Sequence, residues 1–139
     1  MQKPERLLID THIWIWLMEG VDELSTEQVS RLDRAAQSLN LFLSAISPWE
    51  VATLASKGRI ALPIPLAEWM RRAVGQPGLQ LLPLSPEVSV ESAQLVNFHG
   101  DPADRIIVAT ARLDDLTLAT RDGRILTWSK SGSLKAVPF

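Results

Sequence analysis

Apolar residues along this chain fall into two kinds of stretch: short unbroken runs, and longer segments where they recur every three or four positions. Leu7-Leu8-Ile9 is an unbroken run that stops at Asp10, the pattern of a parallel strand buried on both faces. The run Ile13-Trp14-Ile15-Trp16-Leu17-Met18 is too long and too apolar for a loop and predicts the first turns of a helix, stopped near Gly20. Ser25 caps a second helix with Gln28 closing the box, and Val29, Leu32, Ala35, Ala36 and Leu39 form its apolar stripe. Residues 41–46 predict the second strand. In Ser47-Pro48-Trp49-Glu50, Ser47 reads as the cap, Pro48 as the first helical residue and Glu50 as the capping-box acid. That helix ends at Lys57-Gly58-Arg59.

Pro63 and Pro65 make residues 60–65 an extended connection, not a central strand. Leu66 to Val74 predicts a short amphipathic helix, with Leu66, Trp69, Met70 and Ala73 on one side and Glu68, Arg71 and Arg72 on the other. A turn at Gly75-Gln76-Pro77-Gly78 leads into a strand at Leu79–Leu82, and Ser85-Pro86-Glu87 starts a helix running to about Phe98. Asp101-Pro102-Ala103-Asp104 is a further helix start, with Asp101 as cap and Asp104 in the first turn, and the helix runs to Leu113. Leu116–Ala119 is a strand ending at Thr120-Arg121-Asp122; Ile125–Trp128 is a brief helical turn or a loop, and Leu134–Val137 a final edge strand. Strands alternate with helices throughout, which predicts an α/β fold with a parallel sheet and the carboxyl ends of its strands along one edge.

Composition narrows the function classes. A chain of 139 residues, 46% hydrophobic, is expected to be one domain, residues 1–139, with one sizeable core. The absence of cysteine excludes disulfides, thiolate zinc sites and cysteine nucleophiles and fits a reducing cytoplasm. The polar start Met1–Arg6 reads as neither a signal peptide nor a membrane span. A net charge of −2 gives no global attraction for nucleic acid, so polyanion binding must come from local arginines and metal ions.

Four carboxylates fall at the carboxyl edge of the predicted sheet: Asp10, Glu50, Asp104 and Asp122. Each alone has a plain explanation as an N-cap, a capping-box acid, a helix-dipole partner or a turn residue. Their common edge is what those explanations leave over. Like charges roughly 4 Å apart repel by about 4 kcal/mol per pair at an effective dielectric of ~20, so a converged cluster must take up protons or a cation. An all-oxygen set suits Mg²⁺ or Mn²⁺, and such ions can activate a water for phosphodiester cleavage with no side-chain nucleophile. Thr11 and Thr120 neighbour two of the acids and are candidate supporting groups; each is also explicable as a buried, satisfied hydroxyl. Arg105, Arg121 and Arg124 are candidate phosphate contacts or ion-pair partners. His12 reads as packing at a helix start, His99 as a loop residue, and the five tryptophans as core or interface, not base-stacking surfaces.

The stretches Leu-Leu-Ile-Asp10-Thr11-His12, Ser47-Pro48-Trp49-Glu50, Gly58-Arg59-Ile60, Asp101-Pro102-Ala103-Asp104-Arg105 and Thr120-Arg121-Asp122, in this order over about residues 7–128, resemble the PIN-domain ribonucleases, and among them the VapC-type toxins. The resemblance implies a three-layer α/β/α sandwich around a mostly parallel sheet of four to five strands. It implies a cytoplasmic Mg²⁺- or Mn²⁺-dependent endoribonuclease, usually a homodimer, that cuts RNA and is held inactive by a cognate VapB-type antitoxin. Carried onto this chain, the family's metal-site and catalytic acids fall on Asp10, Glu50, Asp104 and Asp122, with Asp101 left as the helix cap. Two other readings compete: a PIN-like module that binds RNA or protein with its acids structural, and a phosphatase-type Mg²⁺ enzyme. The second wants an acid two residues after an aspartyl nucleophile, where this chain has His12.

Overall fold

A computed structural model of the chain describes residues 4–139, so Met1-Gln2-Lys3 of the polar start lie outside the described residues. The elements are β1 (Leu7–Ile9), α1 (Thr11–Glu19), α2 (Thr26–Gln37), β2 (Leu41–Ser44), α3 (Ile46–Ser56), α4 (Leu66–Val74), β3 (Leu79–Leu82), α5 (Pro86–Ala93), α6 (Pro102–Leu113), β4 (Thr117–Thr120), α7 (Gly123–Ser129) and β5 (Ala136–Pro138). The five strands form one sheet in the order β3-β2-β1-β4-β5, and every adjacent pair is parallel.

The unbroken apolar runs work because the sheet is covered on both faces. Successive side chains of a strand point to opposite faces, and they feed two separate cores. Leu7, Ile9, Leu41 and Leu43 pack with Ile13, Trp14, Leu32, Trp69 and Ala73 of the helices on one side. Leu8, Phe42 and Leu118 pack with Ile107, Val108, Ala111 and Ile125 on the other. The result is the expected three-layer α/β/α sandwich. Strand order runs outward from β1 through β2 to β3 on one side, and through β4 to β5 on the other. The reversal between β1 and β4 opens a crevice beyond their carboxyl ends, the usual ligand position in open α/β sheets.

Four local expectations are corrected. The second strand stops at Ser44, and α3 begins at Ile46 with Ala45 helical and no side-chain cap, so Ser47 is not the N-cap and Glu50 closes no capping box. The reason is that the Ser47 hydroxyl is spent on Thr11 Oγ1 at 2.8 Å, while Ser44 Oγ accepts from the Ile46 N–H at 3.2 Å. Helix α5 stops at Ala93 rather than near Phe98, because Asn97 takes a left-handed φ of 58° and the carbonyls of this stretch bond to Arg105. Residues 123–129 form a true helix, with Asp122 as its cap. The edge strand starts two residues later than its apolar pattern suggested, at Ala136, and ends one later, at Pro138.

The turn before β3 is tightly specified. Gly78 has φ +82°, and a Cβ there would stand 2.3 Å from the Ala36 carbonyl oxygen of α2. Gly58 is also left-handed, at φ +67°, but a Cβ there meets nothing within 4 Å. Gly78→Ala is therefore expected to cost on the order of 2–3 kcal/mol, and Gly58→Ala only about 1. Thermal unfolding of the two variants checks this: equal losses would show that the Gly78 contact with α2 does not constrain the turn.

Candidate active site

Asp10 ends β1. Its N–H donates to the Ala119 carbonyl of β4 at 3.0 Å, which keeps the residue in the sheet, while its side chain caps α1 by accepting from the Thr11 N–H at 2.8 Å. The other carboxylate oxygen accepts from the Thr120 hydroxyl at 2.6 Å. That same hydroxyl oxygen accepts from the Asp122 N–H at 3.0 Å. One buried threonine at the end of β4 thus bridges two of the acids. Thr11 acts on a third: its hydroxyl bond to Ser47 ties α1 to α3, the helix that carries Glu50.

Asp104 sits in the first turn of α6. Asp101 is the N-cap, accepting from the Asp104 N–H at 3.0 Å, and is exposed. Asp104 is 9% exposed and lines, with Asp10, Glu50 and Asp122, a cavity of about 370 Å³ that opens at the crevice. Asp122 caps α7, accepting from the Arg124 N–H at 2.8 Å. The structure thus brings all four sequence-selected acids to one cavity.

The electrostatics follow from burial. Loss of water raises the proton affinity of Asp10, which is 8% exposed. Burial also raises that of Glu50, with Asp10 and Asp101 adding to the effect and the Thr11 hydroxyl opposing it. Burial pushes Asp104 up to about 6. The bond to His99 opposes that rise, and the charges of Asp10, Asp101 and Asp122 reinforce it. An oxygen-rich set in which burial drives Asp10, Glu50 and Asp104 to bind protons is chemically suited to a hard divalent cation. The donor set therefore fits Mg²⁺ or Mn²⁺.

His99 is the residue that sequence reasoning placed in a loop and left without a role. It is in a loop, but its Nε2 lies 2.7 Å from Asp104 Oδ2. His99, Asp104 and Asp122 each offer a ligand atom within 4.8 Å of the others. Its position five residues ahead of Asp104 was visible; the fold-back of the 94–99 segment was not.

The arginines divide. Arg124, with a side chain 66% exposed, reaches to 3.9 Å from Asp104 and 3.7 Å from Asp122. Arg121 lines the cavity, but its guanidinium donates to the Phe139 and Glu23 carbonyls and lies 4.6 Å from the Trp16 ring centroid. Arg105 does not face the acids. It donates to the carbonyls of Ser92 at 2.8 Å, Leu95 at 3.0 Å, Phe98 at 3.0 Å and His99 at 3.2 Å. Phosphate contact and ion-pair partner are the two roles its sequence position offers, and the guanidinium is committed to neither: five N–H donors in a rigid fork suit a staple for backbone carbonyls, and that staple holds the segment bearing His99. His12 is exposed at the cavity wall, its ring 6.0 Å from that of Trp16.

The PIN domain family matches this chain over residues 7–128. Ribonuclease VapC22 of Mycobacterium tuberculosis is 32% identical over 120 residues, which cover 86% of this chain and 88% of that protein. Among solved structures, a toxin-antitoxin complex from Klebsiella pneumoniae matches at 26% identity and TM-score 0.54, covering 84% of this chain and 86% of the other. VapBC2 from Rickettsia felis, bound to a DNA fragment from their promoter, has TM-score 0.66 at 14% identity, covering 96% and 98%. FitAcB from Neisseria gonorrhoeae has TM-score 0.63 at 24% identity, covering 94% and 95%. The chain belongs to the PIN domain family, on its VapC-type branch.

The raised carboxyls have a consequence for the metal-free protein. Between the ordinary 3.8 and about 6, native Asp104 holds a proton that the unfolded chain releases. Its contribution to stability is therefore present below that window and lost as pH rises through it, on the order of 2–3 kcal/mol. In EDTA, the wild type is expected to lose stability between pH 4 and 7, and Asp104→Asn to lose markedly less and to be the more stable protein at pH 7. Urea unfolding across that range is the measurement; a wild type and variant with the same slope would refute the burial argument.

Proposed function

We propose that this protein is a metal-dependent endoribonuclease that hydrolyses RNA phosphodiesters, and that it is the toxin of a VapBC-type pair acting in the cytoplasm. The observation that carries the reading is the meeting of Asp10, Glu50, Asp104 and Asp122 at one cavity beyond the β1–β4 crevice, with burial raising the proton affinity of three of them. The 32% identity to a ribonuclease over most of both chains supports the reaction class.

Asp10, Glu50, Asp104 and Asp122 would hold Mg²⁺ or Mn²⁺. When bound, the metal supplies Lewis acidity toward the phosphodiester and toward the attacking water. In the reaction, water oxygen forms a bond to phosphorus and one ester P–O bond breaks, leaving a hydroxyl and a phosphate monoester. The protein's own part is positioning. Thr120 and the Thr11 N–H hold both oxygens of Asp10 in place, and Asp101 sets where α6 starts, so Asp104 points into the cavity. Arg124 is the exposed cation beside the acids and is assigned to a substrate phosphate. His99 Nε2 holds the Asp104 carboxylate through Oδ2.

A VapB-type antitoxin is the partner this reading assigns, supported by the likeness to the Klebsiella pneumoniae toxin-antitoxin complex. A homodimer is the assembly it assigns, on family grounds. Among the described residues no helix is long and apolar enough to cross a membrane.

The test is cleavage of RNA by purified protein with and without added metal. Mg²⁺ or Mn²⁺ is expected to be required. Asp10→Asn and Asp104→Asn are expected to lower kcat/KM by about 100-fold or more and to abolish the metal-induced rise in Tm, which for the wild type is roughly 5–10 °C at saturating metal. Asp101→Asn is expected to keep both activity and the Tm rise, because Asn caps a helix nearly as well as Asp. Full cleavage in EDTA, or an inactive Asp101→Asn beside an active Asp104→Asn, would overturn the assignment.

A further inference from the structure

A second, larger cavity of about 730 Å³ adjoins the acids. It shares two lining residues, Asp122 and Arg124, with the acidic one. Its walls differ in character: Phe98 and Trp128 supply aromatic surface, and exposed Asn97 and Thr127 supply polar atoms at its border. Its volume falls in the range of small-molecule pockets.

The walls are held firmly. The Trp128 indole N–H donates to the Val96 carbonyl at 2.9 Å, which leaves no free donor, and the Arg112 guanidinium lies over the ring 5.8 Å from its centroid. It stands edge-on to Phe98 at 5.1 Å. Phe98 is itself nearly buried, stacked on His99 at 4.3 Å and backed by the Arg105 guanidinium. The four Arg105-to-carbonyl bonds described above fix this same wall. Trp128, by contrast, is only partly buried. The sequence reads it as a core or interface tryptophan and not as a base-stacking surface; in the structure it packs against Phe98 and Arg112 and also lines the cavity.

We propose that this cavity is a subsite for one unstacked nucleobase of single-stranded RNA, next to the phosphodiester at the acidic cavity; the inference rests on the ribonuclease reading. An A-form duplex hides its base edges, whereas a splayed base of a single strand can stack on an aromatic ring and present its polar edge. The Trp128 face opposite the Arg112 guanidinium serves the stacking. Asn97, with donor and acceptor, and Thr127, with a hydroxyl, serve the polar edge. Arg124 stands at the junction, where the phosphate between the cut bond and the bound base would pass. A flat aromatic wall with an amide, a hydroxyl and a cation at its rim matches the chemistry of a nucleotide better than that of an aliphatic side chain.

The experiment uses single-stranded RNA hexanucleotides that differ only at the base beside the cut, with a matched oligonucleotide that is abasic there. Trp128→Leu is expected to lower kcat/KM roughly tenfold or more on the base-containing RNA, and to leave the abasic RNA cut at the wild-type rate. Trp128→Phe is expected to restore most of the loss. Asn97→Ala and Thr127→Val are expected to change the order of preference among the four bases. Binding of the same hexanucleotide to Asp10→Asn protein without added metal gives a readout free of catalysis. Quenching of tryptophan fluorescence is expected with the base present, and to fall sharply in the Trp128→Phe background. Equal losses on base-containing and abasic RNA would overturn the subsite, as would quenching indifferent to the base. So would a Trp128→Leu protein with unchanged RNA affinity that no longer co-purifies with a co-expressed antitoxin, which would make the cavity a protein-docking surface. If the wild type cuts no RNA with either metal, the ribonuclease reading fails, and the binding measurement still decides the subsite.

Discussion

The arrangement depends on a carboxylate kept almost out of water at the junction of β1 and β4. Asp10 can remain there because both its oxygens are hydrogen-bonded, one by the Thr11 N–H and one by the Thr120 hydroxyl. These bonds lower the cost of the charge without removing it, since burial still raises its proton affinity. Each bond also positions something else. The Thr11 bond starts α1, and the Thr11 hydroxyl holds α3 through Ser47. The Thr120 hydroxyl accepts the Asp122 N–H and so sets the start of α7. The cluster is therefore not four acids that happen to share a cavity. The starts of α1 and α7 and the tie to α3 are referred back to the end of one strand, and α6 brings Asp104 to the same cavity through its own cap at Asp101.

This explains which features were legible in the chain. Asp101 and Asp104 were separable because an acid before Pro and an acid three residues on occupy different positions of a helix start, and only the second lies within the turn. The central strands were legible because a sheet covered on both faces needs unbroken apolar runs, and Leu7-Leu8-Ile9 supplies both cores by simple alternation. The start of α3 was misread for a physical reason. Ser-Pro-x-acid has the grammar of a capping box, but the same serine can bond to a distant partner, and Thr11 is 36 residues away in sequence. Local patterns describe local partners.

Arg105 and His99 show the same limit from the other direction. Beside Asp104 in sequence, Arg105 looks like a phosphate contact; one helical position further on, it points to the back of the loop and staples its carbonyls. His99 looks like loop filler and is instead brought onto Asp104 by the fold that the arginine holds. The two roles are linked, because a histidine on a loop can meet a carboxylate at 2.7 Å only if the loop is fixed. A left-handed Asn97 and the Arg105 fork achieve this without regular secondary structure.

The charge balance of the site bears on how it can meet a polyanion. The chain carries a net charge of −2, and the acidic cavity concentrates negative groups with Arg124 as the cation that leans over Asp104 and Asp122. A phosphate approaching such a cavity is repelled until protons or a divalent cation offset the cluster. The neighbouring cavity takes only Asp122 from the cluster, and stacking of a base there does not depend on the sign of the acids. A strand that places a base beside Trp128 and its phosphate at Arg124 gains attraction from the one side of the site that offers it. The anionic centre then has to be neutralised only for the bond that is cut. Affinity and chemistry are thereby assigned to adjacent but distinct surfaces, joined at Asp122 and Arg124.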